Sequence, residues 1–206
     1  MSEAGEQKYT LTLDTGEVHH ISRGFTGKAT AMYENGEWYE GTYNEGIREG
    51  RGIYQYESGN RYEGDWKNNL RHGIGRMKYK EGDYQGYWEN GHRHGEGIFT
   101  YNNGDVYSGW WRFGQKHGTG TYSFANGMKL YGLWEQGQMK MAKWLFPNGT
   151  FYQGGFENNK PSGDGEWHFN NGNTVKGAFS QKKKEDEEEA GEDDAPKPKF
   201  DLSWAT

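Results

Sequence analysis

The stretch Tyr62-Glu63-Gly64-Asp65-Trp66 returns along the chain every 22 or 23 residues, and this period decides the fold. Copies of the stretch begin at seven positions, which are residues 39, 62, 84, 107, 130, 152 and 175. A fixed period of this length is typical of repeat architectures, in which each unit packs only on its neighbours. The chain is therefore predicted to be an array of small units. Such arrays direct attention to binding and scaffolding before catalysis.

Each unit combines two short runs of alternating aromatic and polar residues with a His-Gly-x-Gly segment and an Asn-Gly pair. Because strand side chains alternate, Tyr62, Gly64 and Trp66 share one face of a strand, while Glu63 and Asp65 lie on the other. The glycine between the two rings leaves room for a ring over the backbone. Each unit is predicted to be a hairpin, and successive hairpins form one antiparallel sheet. Turns are predicted at Asn103-Gly104, Asn126-Gly127 and Asn171-Gly172.

These motifs resemble the MORN repeat (membrane occupation and recognition nexus) over residues 24–180. The resemblance implies an all-β fold, an elongated single-layer antiparallel sheet of repeated hairpins. Residues 1–23 are interpreted as a degenerate strand or a disordered segment. Two units depart from the pattern: the one from Val18 to Gly36 lacks the Tyr-x-Gly-x-Trp part, and after Trp134 the run Met139-Lys140-Met141-Ala142 replaces His-Gly-x-Gly.

Rings take the place of aliphatic side chains in this composition, with an aromatic fraction of 17%. A single-layer sheet has no interior for aliphatic residues, so rings stacked between hairpins must hold it together. Two interpretations of the ring row are compatible: the rings only stack on one another, or part of the row forms an open groove for an extended or helical partner segment. The predicted partner-binding rings are Tyr62, Trp66, Tyr84, Trp88, Tyr107, Trp111 and Trp134.

Residues 181–206 form a charged tail that is predicted to be disordered and flexible, because it contains blocks of like charge. Its last residues differ in character, since Phe200, Leu202 and Trp204 are apolar at alternate positions. That spacing suits a strand that adds to a sheet edge or docks in a groove, so these three residues are also predicted to bind a partner. The alternative is a solvated terminus with no contact.

No catalytic, cofactor-binding or metal-binding residue is predicted. His72, His94 and His117 recur one repeat apart, about 10 Å, whereas zinc lies about 2.1 Å from each of its ligands. They are interpreted as turn residues, as are glycine pairs such as Gly73-Ile74-Gly75, which lack the third glycine and the helix of a dinucleotide site. The chain has no cysteine, which excludes disulfides and thiolate sites. Acidic side chains are expected on a solvated face.

The final repeat, residues 152–169, resembles that of the MORN-containing radial spoke head proteins of motile cilia. The irregular repeat before it and the acidic tail after it share the resemblance. It implies a non-catalytic structural scaffold of the spoke head in the axoneme, within the cytoplasm and cytoskeleton of a cilium or flagellum. The partners it implies are other spoke-head subunits. Two MORN-type spoke-head subunits exist, and the resemblance leaves open which one the chain matches.

Two other functional classes compete with this interpretation. A peripheral membrane adaptor that binds phosphoinositides is the alternative, but lipid binding favours clusters of Lys and Arg, and the formal net charge is −6. A targeting module of an enzyme is disfavoured because only 26 residues follow the repeats. Self-association stays open, no nucleic-acid partner is expected, and a membrane partner is disfavoured.

Overall fold

The computed structural model describes residues 9–180 and the backbone of residues 204–205. Within these residues all regular structure is β-strand and no helix occurs, which confirms the predicted all-β class. The predictions made for the charged part of the tail concern residues that lie outside this described part.

Seventeen strands follow one another along the described chain. They are β1 (Tyr9–Leu13), β2 (Val18–His19), β3 (Gly27–Tyr33), β4 (Trp38–Asn44), β5 (Ile47–Gln55), β6 (Arg61–Lys67), β7 (Leu70–Lys78), β8 (Gly82–Glu89), β9 (His92–Tyr101), β10 (Val106–Arg112), β11 (Gln115–Ser123), β12 (Lys129–Glu135), β13 (Gln138–Leu145), β14 (Phe151–Glu157), β15 (Lys160–His168), β16 (Thr174–Phe179) and β17 (Trp204–Ala205).

All strands belong to one open antiparallel sheet. From β3 to β16 each strand pairs with the next one in sequence. At the beginning β1 pairs with both β2 and β3, and at the end Trp204 of β17 lies opposite Phe179 of β16. The two outermost strands therefore have only two residues each. Such short strands leave few unpaired backbone groups at the two edges of the sheet.

Turns of two kinds alternate along the sheet. Hairpins such as β6–β7 turn through Asn68 and Asn69, whose φ angles of 51° and 65° are left-handed, as tight hairpins require. The predicted Asn-Gly turns are confirmed, since the amides of Gly104, Gly127 and Gly172 each donate to the carbonyl three residues earlier at 3.0 Å. Local Asn-Gly chemistry thus predicts these connections correctly.

The His-Gly-x-Gly segments do not form turns, and that prediction was wrong. His72 and Gly73 lie inside β7, and the register of β6 and β7 shifts between Gly64 and Asp65. Gly73 has a φ of 56°, which is the left-handed conformation that favours glycine at a β-bulge. The same shift recurs in the next hairpin between Gly86 and Tyr87. These segments therefore kink strands and do not connect them.

The second glycine of each segment makes room for a tyrosine. Gly64 pairs with Gly75, and a Cβ atom on Gly64 would lie 2.6 Å from the Tyr62 hydroxyl. On Gly75 a Cβ would lie 2.6 Å from Cε2 of the same ring. The Tyr62 ring thus lies flat over the paired glycines, and its hydroxyl donates to the Asp65 carbonyl at 2.8 Å. This arrangement confirms the prediction that glycine admits a ring over the backbone.

The alternation of faces is also as predicted. Tyr62 and Trp66 are buried, whereas Glu63 is exposed on the opposite side. We call the side of the sheet that carries Tyr62 and Trp66 the ring face, and the opposite side the outer face. On the ring face the Tyr62 ring meets Trp66 at 5.3 Å and Trp88 of the next unit at 5.2 Å, both edge to face. Such contacts join each hairpin to the following one.

Candidate interaction surfaces

The predicted partner-binding rings lie in the packed layer of the ring face. Their side chains are between 0% and 5% exposed, and they are Tyr62, Trp66, Tyr84, Trp88, Tyr107, Trp111 and Trp134. The tyrosines lie over glycines and the tryptophans bridge neighbouring units. Their stacking is therefore evident in the structure, while their contact with a partner stays a prediction. Of the predicted tail residues, Phe200 and Leu202 lie outside the described residues and only the backbone of Trp204 is described.

Four basic side chains cover the solvent side of these rings. We call Arg48, Arg71, Arg93 and Lys116 the cation row, because they occupy the same position in β5, β7, β9 and β11. The Arg71 guanidinium lies 4.6 Å from the centre of the Trp88 ring, and that of Arg93 lies 4.3 Å from Trp111. Cation–π attraction and the aliphatic stems seal the rings from water.

Sequence reasoning missed the cation row, although a signal was present. A basic residue directly precedes the histidine in three His-Gly-x-Gly segments, as in Arg71-His72. The cations also hold the neighbouring unit, since Arg71 Nη2 donates to the Gly91 carbonyl at 2.6 Å and Arg93 Nη2 donates to that of Gly114 at 2.7 Å. Each basic residue thus joins its own hairpin to the next.

Lys116 ends the cation row in a less polar setting than the arginines. Burial, assisted by repulsion from Arg93, lowers the pKa of its ammonium group to about 8. The carboxylate of Asp105 favours the charged form, and it accepts hydrogen bonds from the Tyr122 hydroxyl and the Ala125 amide, each at 2.8 Å. Lys116 is thus a buried donor at the point where the row of cations stops.

The outer face carries an exposed apolar surface that the sequence analysis did not foresee. Seven large side chains that are 47–62% exposed follow one another across strands β7 to β13, with one gap at β11. We call them the outer patch, and they are Ile74, Tyr87, Ile98, Trp110, Tyr131, Leu133 and Met141. The expectation of a solvated acidic face therefore fails in the middle of the array. Three patch residues stand between Gly and Trp in the repeated motif, which was the available signal.

A trough follows the outer patch along the array. Its volume is about 590 Å³ over β7–β12 and about 1080 Å³ over β11–β16. The backbone of paired glycines forms the floor, as where Gly97 pairs with Gly109 and Gly120 pairs with Gly132. Patch side chains and shorter polar residues form the walls. The outer face thus offers a long open surface with an apolar centre.

Comparison with protein families identifies five units of this array. The family described as the MORN repeat matches residues 39–61, 62–83, 84–106, 107–129 and 152–174, which is more than half of the chain. The chain belongs to the MORN repeat family. The known function of these repeats as units of a scaffold agrees with the open sheet and its two long faces. Residues 130–151, between the fourth and fifth MORN units, are not matched.

Solved structures offer distant likenesses to the MORN sheet. The TCP domain of Drosophila melanogaster SAS-4 (dCPAP), in complex with a proline rich motif of Ana2, has a TM-score of 0.48 and 18% identity, over 85% of this chain and 92% of that one. The TCP10 domain of Danio rerio CPAP has a TM-score of 0.32 and 12% identity, over 81% and 92%. The G-box domain of CPAP has 0.37 and 12%, over 73% and 97%. No curated protein was found to match.

The unmatched MORN unit departs from the others at three positions on the ring face. Leu130 replaces the buried tyrosine, Ala142 replaces the glycine beneath it, and Met139 replaces the cation. A cavity of about 340 Å³ opens there. Its lining is formed by Lys116, Tyr122, Phe124, Leu130, Trp134, Gly137, Met139, Trp144, Phe156, Asn159 and Pro161. The loss of one ring and one long cation accounts for this space.

Two indole groups at this cavity have no hydrogen-bond partner. In the matched MORN units Trp66, Trp88 and Trp111 donate from Nε1 to a glycine carbonyl at 3.1–3.2 Å. The buried Nε1 atoms of Trp134 and Trp144, in contrast, have no acceptor among the described residues. An unsatisfied buried donor is unfavourable. The irregular unit therefore combines apolar space with unused donors.

The described residues contain neither a metal-binding cluster nor a membrane-spanning helix. Across residues 9–180 no group of three or more His, Asp or Glu is placed to hold a metal ion. His72, His94 and His117 lie in β7, β9 and β11, one repeat apart. In the same part of the chain no helix has the length and apolar character needed to cross a membrane.

Proposed function

We propose that this MORN array is a non-catalytic scaffold of the radial spoke head in the axoneme of cilia and flagella, where it binds other spoke-head subunits and supports motility. The outer patch carries the proposal of partner binding. Contiguous exposed apolar surfaces of this kind mark interaction sites in soluble proteins. The resemblance of residues 152–169 and of the irregular unit to MORN-type spoke-head proteins supports the choice of assembly.

The outer patch is better suited to partner binding than the ring face. The rings of the ring face are already buried against one another and beneath the cation row. The patch side chains, in contrast, project from seven neighbouring strands that would extend about 29 Å at a spacing of about 4.8 Å. Two rows of residues over that length give an apolar centre on the order of 400 Å², which a polar rim extends to a standard interface of about 800 Å² per partner.

Hot-spot chemistry favours the same surface. Tyr and Trp are enriched among the residues that dominate binding, and Tyr87, Trp110 and Tyr131 lie within the patch. The sheet holds their backbones in fixed register, so little conformational entropy is lost on binding. The proposal retains two predictions from the sequence, contact of a partner with the ring row and contact with Phe200, Leu202 and Trp204.

Removing the patch is expected to release the spoke-head partners. In the variant Tyr87→Ser, Trp110→Ser, Leu133→Thr, recovery of radial spoke proteins by affinity purification from ciliated cells should fall by about 10-fold or more, since each hot spot contributes over about 1 kcal/mol. Ser and Thr on the solvent side of strands leave the ring face intact, so circular dichroism and the melting temperature should stay close to wild type.

A matched control removes an exposed ring outside the patch. Phe113 is 67% exposed at a turn and has a φ of 48°, which asparagine tolerates, so Phe113→Asn should retain the partners. Recovery of the same spoke proteins with the triple variant would refute the patch as the docking surface. Absence of spoke proteins from the wild-type sample, combined with binding to vesicles that contain phosphoinositides, would replace the spoke-head scaffold with a membrane adaptor.

A further inference from the structure

We propose that residues 196–202 of the same chain dock in the ring-face cavity of the irregular unit, with the Phe200 ring in the place of the tyrosine that Leu130 replaces. The cavity is thereby assigned one occupant, a segment of this chain that lies outside the described residues. The inference rests on the shape of the vacancy, on its hydrogen-bonding character and on the position of β17, and it is independent of the spoke-head proposal.

The vacancy has the size and surroundings of an aromatic side chain. In the other units Tyr39, Tyr62, Tyr84, Tyr107 and Tyr152 fill this position and are fully buried. The edge-to-face series runs through Tyr107 and Trp134 at 5.3 Å and stops at Leu130. The cavity of about 340 Å³ exceeds the roughly 150 Å³ that holds benzene in a protein core. A phenyl ring would therefore restore the interrupted stack.

The polar groups of the cavity are donors. They include the unpartnered Nε1 atoms of Trp134 and Trp144 and the ammonium group of Lys116. The carbonyl oxygen of the Asn159 side chain already accepts from the Met139 amide at 2.9 Å. A suitable occupant thus brings acceptors and few N–H groups of its own. Residues 196–202 match, because Pro196 and Pro198 lack an amide hydrogen and Asp201 adds a carboxylate next to Phe200.

The position of β17 brings this segment to the correct end of the sheet. Trp204 lies opposite Phe179, the last residue of β16, so the preceding residues approach from that end. Lys116, Met139 and Pro161 line the cavity at the same end, at the starts of β11, β13 and β15. From β16 to β13 or β14 is about 10–14 Å, and the four residues from Phe200 to Trp204 span up to about 14 Å.

The indole signals of Trp134 and Trp144 in the NMR spectrum of the full chain test this contact. Phe200→Ala should shift both signals, whereas the matched tail variant Lys197→Ala should leave them in place. Trp66, ten strands from β16, serves as the reference that the fold is retained. Identical Trp134 and Trp144 signals in wild type and Phe200→Ala would overturn the proposal.

Filling the cavity from within provides a second test. Leu130→Tyr with Ala142→Gly recreates the ring over glycine seen in the matched units, and the array should stay folded with an unchanged or higher melting temperature. Adding Phe200→Ala to this variant should then shift neither indole signal further. A further shift as large as that in the wild-type background would show that Phe200 acts elsewhere and would overturn the proposal.

A spin label distinguishes this chain's own tail from that of a second copy. Because the chain has no cysteine, Lys199→Cys gives a single labelling site. The label should broaden the Trp134 and Trp144 signals when it is on the isotope-labelled chain itself. Broadening that requires a mixture, with the spin label on unlabelled copies, would assign the cavity to a second copy and overturn docking within one chain. Binding of an added aromatic peptide with Phe200 unengaged would assign it to a partner and overturn it equally.

Discussion

Replacement of Trp88 or Trp111 by alanine is expected to lower the free energy of unfolding by about 3–5 kcal/mol. Each ring is 3% exposed and bridges two hairpins. Trp88 meets Tyr62 at 5.2 Å and Tyr84 at 5.3 Å, and its Nε1 donates to the Gly75 carbonyl at 3.1 Å. Alanine would remove these contacts and leave a cavity beneath Arg71 that the stiff sheet cannot close. Urea titration followed by circular dichroism measures the loss.

The matched control lies on the other face of the sheet. Glu63→Ala should stay within about 0.5 kcal/mol of wild type, because the side chain is exposed. Comparable losses in Glu63→Ala and Trp88→Ala would mean that the ring face does not hold the array together. A smaller midpoint with an unchanged slope against urea identifies a loss of stability, whereas a changed slope indicates that the hairpins unfold separately.

Local patterns were sufficient to predict the repeat, the turns and the two faces. The period of 22 or 23 residues, the Asn-Gly pairs and the alternation around Gly64 depend on interactions within one hairpin, so each could be read from short stretches. The bulges could not be read in the same way. A His-Gly pair suits both a turn and a left-handed bulge, and only the pairing of Gly64 with Gly75 places it inside β7.

The outer patch depends on register and was therefore missed. Alternation assigns Tyr87 and Trp110 to the outer face, but it does not show that they align with Ile74 and Leu133 from other units. Their alignment follows from the pairing of Ile74 with Tyr87 and of Leu133 with Met141. A shift of one residue at any bulge would reverse the faces of a strand. An apolar surface that spans several strands is consequently a property of the assembled sheet.

The ring row illustrates the limit of sequence reasoning about exposure. Counting rings indicates that they share a face, and the structure adds that Arg71 and Arg93 lie over them. A basic residue next to a histidine does not reveal its direction, because a long side chain can point to solvent or fold back over a ring. The irregular unit shows the converse, since Met139 cannot supply the charge, and the cavity lies beside it.

The buried tyrosines are expected to make the array unfold cooperatively in alkali. Tyr39, Tyr62, Tyr84, Tyr107 and Tyr152 are fully buried, and desolvation raises the pKa of each phenol above its usual value. A group whose pKa is higher in the folded state contributes stability that is present below the unfolded pKa and is lost as pH rises. The unfolded value for tyrosine is about 10, so the loss begins near pH 10.

The size of this effect is comparable to the whole stability of a domain. One pH unit above 10, each phenol that stays protonated in the folded state reduces stability by about 1.4 kcal/mol, and five reduce it by about 7 kcal/mol. Since folded domains are stable by about 5–15 kcal/mol, circular dichroism should be lost together with a rise in phenolate absorbance between about pH 10.5 and 11.5. Tyr107→Phe should release one proton fewer in that transition, whereas Tyr131→Phe, on the exposed outer patch, should leave it unchanged. A gradual rise of phenolate absorbance with the sheet intact would mean that solvent reaches these rings in the folded array, contrary to the packing of Tyr62 over Gly64 and Gly75.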